Sequence, residues 1–140
     1  MTRKHKERLQ QLGVSIVYLF GSRATGRKAQ SSDTDIGVVF TDFGFGNDKR
    51  AAYHALYQLF SELYRDSRLD IVFLQTSPLS LEYSAIKEGK ILFENDPIAT
   101  VNYENETINQ YLDFRPVMEF FDRATMEGYA NKWLQCQVLT

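Results

Sequence analysis

Two aspartates separated by a single residue, Asp33 and Asp35, are the side chains best placed to do chemistry. They stand where an apolar run, residues 35–40, begins. On an extended strand, residues i and i+2 point to the same face, so the two carboxylates would project side by side. Like charges at that distance repel unless a cation lies between them, and hard oxygen ligands suit Mg²⁺. Taken alone, the pair is more often a solvated turn at the start of a strand.

A third acid, Asp70, begins another apolar run, residues 70–74. If this strand neighbours the previous one, Asp70 lies beside the pair. Three convergent carboxylates can hold two divalent ions, the arrangement used for in-line phosphoryl or nucleotidyl transfer. Without such a neighbour, Asp70 is only a charge at a strand edge or a member of an ion pair.

The dipeptide Gly21-Ser22 directly follows a β-branched and aromatic run. Glycine lets a backbone approach an anion closely, and the N–H groups and hydroxyl that follow can cradle phosphate. Arg23, Arg27 and Lys28 add positive charge to the same loop, although their role can also be solubility. The segment is not a Walker A loop, because it lacks the Gly-Lys-Ser/Thr of that motif.

The helices and strands that must position these residues can be predicted from the spacing of apolar residues and from the Gly and Pro residues that end each element. We predict helices at residues 4–11, 49–64, 77–88 and 97 to about 127, and strands at residues 14–20, 35–40, 69–74 and 91–93. Residues 21–32 form a loop, and Pro116 should kink or break the last helix. Residues 133–139 receive no assignment. This order predicts an α+β fold with a small mixed sheet flanked by helices and a C-terminal helical extension.

Composition limits the classes of protein. The 140 residues carry a net charge of −2 and one cysteine, which excludes a strongly basic nucleic-acid coat protein and a disulfide framework and suits the cytoplasm. No apolar run is long enough for a membrane helix. Residues 1–32 hold seven Lys/Arg and one acid, whereas residues 94–127 hold eight acids and two Arg.

We expect a catalytic domain at 1–96 and a helical tail at 97–140 that packs on it and contacts a partner.

The spacing of Gly21-Ser22, ten residues, Asp33-Thr34-Asp35 and a later Asp70 resembles the signature of the DNA polymerase beta-type nucleotidyltransferases. Residues 19–26 and 32–35 are similar to the minimal nucleotidyltransferase (MNT) group, whose bacterial members are commonly antitoxins of HEPN ribonuclease toxins. Residues 111–116 are also similar to the C-terminal segment of such antitoxins.

The resemblance implies a mechanism. Asp33, Asp35 and Asp70 would be the catalytic residues and the ligands of two Mg²⁺ ions, while Gly21, Ser22 and Arg23 would bind the phosphates of ATP. The protein would transfer AMP to a tyrosine of the toxin and thereby inactivate it. We expect no membrane and no direct nucleic-acid partner. His5 and His54, on predicted helices, are not expected to take part.

Two alternatives remain open. A binding-only antitoxin would mask its toxin with the acidic, aromatic tail, which contains Tyr103, Tyr111, Phe114, Phe120 and Phe121; those aromatics can equally pack back onto the sheet of their own chain. A nucleotidyltransferase acting on a small molecule would normally need a second domain as the other wall of its pocket. One acting on RNA should show a basic, aromatic groove.

Overall fold

The fold, a computed structural model, is a four-stranded sheet between two layers of helices. The structure describes residues 1–21, 34–42, 48–65 and 68–138, with side chains described as far as residue 125. The helices are α1 (Arg3–Gln11), α2 (Lys49–Leu63), α3 (Leu79–Glu88) and α4 (Pro97–Val138), and the strands are β1 (Val14–Phe20), β2 (Thr34–Phe40), β3 (Leu69–Phe73) and β4 (Lys90–Glu94). The predicted α+β class, with its mixed sheet and helical extension, is confirmed.

The strands lie in the order β3-β2-β1-β4. β1 is antiparallel to both β2 and β4, whereas β2 and β3 are parallel. A parallel pair cannot be joined by a hairpin, and α2 is the crossover between β2 and β3. The mixed sheet therefore follows from a single crossover helix in an otherwise antiparallel arrangement.

Each face of the sheet has its own apolar core. One core contains Val17, Ile36, Val38 and Ile71 from the strands and packs against the buried face of α2. The other contains Ile16, Tyr18, Val39 and Leu74, together with Ala85 of α3. Strand residues contribute alternately to the two cores, as the two-residue period of a strand requires.

The end of the β2–β3 ladder is closed by a side chain. Beyond Phe73 the chain turns into a short 3₁₀ turn (Leu74–Thr76) and can no longer pair with β2 through its backbone. The side-chain amide of Gln75 replaces it, accepting from the Phe40 N–H at 2.8 Å and donating to the Phe40 carbonyl at 3.0 Å. Both backbone groups of Phe40 are thus satisfied, as buried groups must be.

The start of α4 is fixed to the domain by two tyrosine–glutamate pairs. The hydroxyl of Tyr18 on β1 donates to Glu104 at 2.8 Å, and that of Tyr103 donates to Glu82 on α3 at 2.8 Å. Further along the helix, Tyr111 stacks on Tyr83 with ring centroids 3.9 Å apart. Tyr103 and Tyr111 of the tail therefore pack on their own domain.

Two sequence predictions about the C-terminal region need revision. Helix α4 continues through Pro116 as one element of 42 residues, so of the predicted kink or break the break does not occur. Proline removes one backbone hydrogen bond, and the exposed position of Pro116 leaves the freed carbonyl of Leu112 accessible to water. Residues 133–138, unassigned from the sequence, belong to the same helix. None of the helices in the described part of the chain combines the length and apolar character that crossing a membrane requires.

The Tyr18–Glu104 pair gives a test of how α4 is held. Tyr18 is 1% exposed. We expect Tyr18→Phe to lower the free energy of unfolding by about 1–2 kcal/mol, because Glu104 loses a charge-assisted hydrogen bond. Denaturant unfolding measures this loss. Tyr57→Phe on the exposed face of α2 is the matched control and should change little.

The Tyr18→Phe variant should also change how the free energy of unfolding depends on pH. Burial, and then the hydrogen bond to Glu104, raises the pKa of Tyr18 above its ordinary value. The folded phenol keeps its proton where the unfolded one loses it, so this stabilisation is complete below about pH 10 and falls as the pH rises further. Above that pH the stability of Tyr18→Phe should decline less steeply than that of the parent protein, by about 1.4 kcal/mol per pH unit. Equal slopes would contradict a buried, hydrogen-bonded Tyr18.

Candidate active site

Two of the three predicted acids, Asp35 and Asp70, are direct neighbours across the β2–β3 pair. Asp35 is the second residue of β2 and Asp70 the second of β3, and the parallel register pairs them. Neighbouring strands are about 4.8 Å apart, and paired residues of a parallel ladder project to the same face. Val39 of β2 and Val72 of β3 share that face and belong to the core beneath α3. The sheet therefore presents two carboxylates together on its α3 side.

Gly21 lies against the carboxylate of Asp35. It follows the last residue of β1, Phe20, which pairs with Asp35 across the antiparallel ladder. Its φ is +80°, a conformation that side-chain-bearing residues rarely adopt. A Cβ on Gly21 would overlap Oδ2 of Asp35 and lie 3.1 Å from its Cγ. Glycine is thus needed both for the turn at the end of β1 and for the space that the Asp35 carboxylate occupies.

The starts of β2 and β3 are joined next to these acids. The Thr34 N–H donates to the carbonyl of Arg68 at 2.7 Å, which fixes the register one residue before the Asp35–Asp70 pair. Thr34 is fully buried, and its hydroxyl has no hydrogen-bond partner among the residues described. A buried hydroxyl without a partner costs stability.

The remaining predicted site residues are Ser22, Arg23 and Asp33. All three lie outside the described residues, and so do Arg27 and Lys28. Within the described ranges no group of three acidic, histidine or cysteine side chains is close enough to enclose a metal ion. Asp35 and Asp70 alone offer paired carboxylate oxygens on one face, a donor set that suits Mg²⁺. The assigned catalytic, nucleotide-binding and metal roles stay predictions.

Both histidines belong to helices. His5 completes the N-terminal capping box of α1, where its Nδ1 lies 2.7 Å from the Thr2 hydroxyl. Its Nε2 lies 3.3 Å from Glu62 of α2, so the ring links the two helices. His54 is exposed on α2. A structural role accounts for the contacts of His5.

The sequence reasoning found both acids but missed the contact between Gly21 and Asp35. It assigned Gly21 to the approach of a phosphate, whereas the structure shows that this glycine also makes room for a carboxylate. A glycine directly after a buried strand was the available signal. Which side chain needs the space depends on the pairing of β1 with β2, and a local pattern does not specify that pairing.

This geometry defines a class of protein: a small mixed sheet with paired carboxylates on adjacent strands beside a glycine turn. The model of the family described as polymerase beta, nucleotidyltransferase matches residues 3–98, most of the chain. The protein belongs to this nucleotidyltransferase family. The match includes every sheet strand and ends at the start of α4. No curated protein matches the chain.

Solved structures of other proteins have the same fold as this chain. A chain of a toxin–antitoxin solved with AMP-PNP has a TM-score of 0.69 at 23% identity, covering 89% of this chain and 99% of that one. A chain of the tri-AMPylated Shewanella oneidensis HEPN toxin in complex with MNT antitoxin gives 0.62 at 23% identity, with 90% and 99% coverage. The toxin–antitoxin MntA–HepT gives 0.61 at 22% identity, with 89% and 99% coverage. At these identities the similarity establishes the fold, including the helix beyond the family match.

Two glycines with the same backbone conformation allow a matched test of the Gly21–Asp35 contact. Gly13 has φ +77° and open space where a Cβ would stand, whereas Gly21 has φ +80° and the Asp35 carboxylate against it. Gly13→Ala and Gly21→Ala should each lose about 1–2 kcal/mol of stability from the left-handed backbone. Only Gly21→Ala should also displace Asp35 and weaken ATP binding. Calorimetric titration with ATP and Mg²⁺ checks this, and unchanged binding in folded Gly21→Ala would contradict the assignment.

Proposed function

We propose that this protein is an antitoxin that transfers AMP from ATP to a tyrosine hydroxyl of a HEPN ribonuclease toxin. The observation that carries the proposal is the pairing of Asp35 with Asp70 on one face of the sheet. The chain that forms this sheet belongs to the nucleotidyltransferase family. The toxin–antitoxin structures that share the fold include one with AMP-PNP and one with an AMPylated toxin, and they support the choice of nucleotide and acceptor. The cytoplasm is the expected location.

Each site residue has a distinct part in the proposal. Gly21, Ser22 and Arg23 bind the β- and γ-phosphates of ATP through backbone N–H groups, a hydroxyl and a positive charge. Asp33, Asp35 and Asp70 are the carboxylates that would hold two Mg²⁺ ions. The ions would neutralise the charge that develops on the phosphate oxygens. Asp35 and Asp70 meet the requirement for such ligands, since both are acidic and lie on the same face.

The reaction is an in-line displacement. The tyrosine oxygen of the toxin attacks the α-phosphorus of ATP, and a new P–O bond forms. The bond from the α-phosphorus to the oxygen that bridges it to the β-phosphorus breaks, and pyrophosphate leaves. Asp70 helps to remove the proton of the hydroxyl. A tyrosine that carries AMP adds bulk and negative charge where RNA phosphates must enter, so the toxin loses its activity.

Asp70→Asn is expected to separate binding from chemistry. Gly21, Asp33 and Asp35 remain to hold the nucleotide, whereas proton removal is lost, so transfer should fall by a factor of about 10² or more. ATP affinity and transfer rate are measured on the same preparation. Glu88→Gln, which neutralises an exposed acid on α3, is the control and should leave both unchanged. If affinity and rate fall by the same factor, Asp70 is mainly a binding ligand.

Covalent inactivation and simple masking differ in stoichiometry. With ATP and Mg²⁺, a small amount of antitoxin should inactivate an excess of toxin, because one enzyme modifies many acceptors in turn. The separated toxin should remain inactive and carry the mass of AMP on a tyrosine. A masking antitoxin would need at least one copy per toxin site and would release active, unmodified toxin. Mass spectrometry together with a ribonuclease assay of the separated toxin distinguishes the two.

A further inference from the structure

The side of α4 that packs on the domain continues past the domain as an apolar stretch that is largely exposed to solvent. Thr100 and Thr107 are buried and Tyr103 and Tyr111 are partly buried, at spacings of three and four residues. The same spacing continues with Phe114, Met118 and Phe121, which we name the distal stripe. Residues at this spacing lie on one side of a helix. Phe114 is 55% and Phe121 62% exposed, whereas Met118 is partly buried.

A cleft lies where the distal stripe passes the start of α3. It has a volume of about 420 Å³ and is lined by Ser80 of α3 and by residues of α4 that include Tyr111, Met118 and Phe121. Arg115, Glu119 and Asp122 of α4 complete its lining. A cleft lined by both apolar and charged side chains, and large enough for a bulky side chain, can anchor a protein partner.

The charged residues at the cleft indicate which kind of protein could bind there. At the cleft the acids Glu119 and Asp122 stand against one arginine, Arg115, which is already engaged with Glu119 at 3.1 Å. Two copies of this cleft side by side would bring like charges together, which disfavours a second copy of the chain. A ribonuclease carries Lys and Arg where it binds RNA phosphates, and that part of its surface would be complementary to these acids.

We propose that the distal stripe is the docking site of the ribonuclease partner. The partner inserts an apolar side chain into the cleft and places Lys or Arg against Glu119 and Asp122. This inference rests on the proposed function for the identity of the partner. α3 and α4 cover the same face of the sheet as the one to which Asp35 and Asp70 project. The distal stripe and the two carboxylates therefore share one side of the sheet.

The test measures binding of the HEPN ribonuclease that the proposed function requires as partner, purified in a catalytically inactive form. Phe121→Asp should weaken binding at least about thirtyfold, the effect of losing an interface anchor. Ile98→Asp is the matched control: Ile98 is 72% exposed on α4, on the side away from the sheet, and its replacement should leave affinity unchanged. Phe121 is mostly exposed, so its variants should fold. Phe121→Ala provides a second variant that introduces no charge, and a smaller loss is expected from it.

Charge is tested separately. Asp122→Lys should weaken binding at low salt, and the difference should shrink at high salt as screening removes the attraction. Equal affinities for Phe121→Asp and Ile98→Asp would overturn the proposal. A dimer of the protein alone that Phe121→Asp disperses in sedimentation would also overturn it, because a second copy would then be the occupant.

The outcomes also separate this inference from the proposed function. Nucleotide addition to the ribonuclease is read by mass, independently of affinity. If the parent protein binds through Phe121 but adds no nucleotide, the proposed transfer fails and the docking site stands. If it adds nucleotide and Phe121→Asp binds as tightly as the parent, the docking site fails and the transfer stands.

Discussion

The parallel pairing of β2 with β3 is the interaction on which the rest of the site depends. It places Asp35 opposite Asp70, and a shift of one residue would move one carboxylate to the opposite face of the sheet. The register is fixed at one end by the hydrogen bond between Thr34 and Arg68. At the other end it is fixed by Gln75, which replaces the missing backbone of β3. Two like charges beside each other are thus held by contacts that do not involve the charges themselves.

Local patterns predict the elements of this fold but not their pairing. The four strands and four helices could be found because burial imposes a period of two on strands and 3.6 on helices. The order β3-β2-β1-β4 could not, because it depends on contacts between residues far apart in the sequence. The prediction that Asp70 joins the other acids was therefore conditional on a strand pairing that the sequence left open. Register also explains why the approach of Gly21 to Asp35 could not be predicted.

The tail shows how a favourable long helix outweighs one unfavourable residue. Pro116 lacks an N–H and cannot bond to the carbonyl of Leu112, which is the physical reason for expecting an interruption. Both residues are exposed, so water can satisfy that carbonyl and no buried group is left unpaired. Sequence reasoning could not anticipate this, since the cost of a proline depends on the exposure of its surroundings. Residues 133–138 also carry no pattern that favours a helix over a strand.

Helix α4 combines two environments along a single side. Near its start, tyrosine hydroxyls donate to partly buried carboxylates: Tyr18 of the sheet donates to Glu104, and Tyr103 donates to Glu82 on α3. Burial raises the pKa of Glu82, although its hydrogen bond from Tyr103 acts in the opposite direction. Such pairs are specific in geometry, because a phenol and a carboxylate must meet at one distance and angle. They fix the direction in which the helix leaves the domain. The rigidity of a continuous helix then carries that direction over the uncovered turns, so whatever binds there is oriented relative to Asp35 and Asp70 by the same two hydrogen bonds.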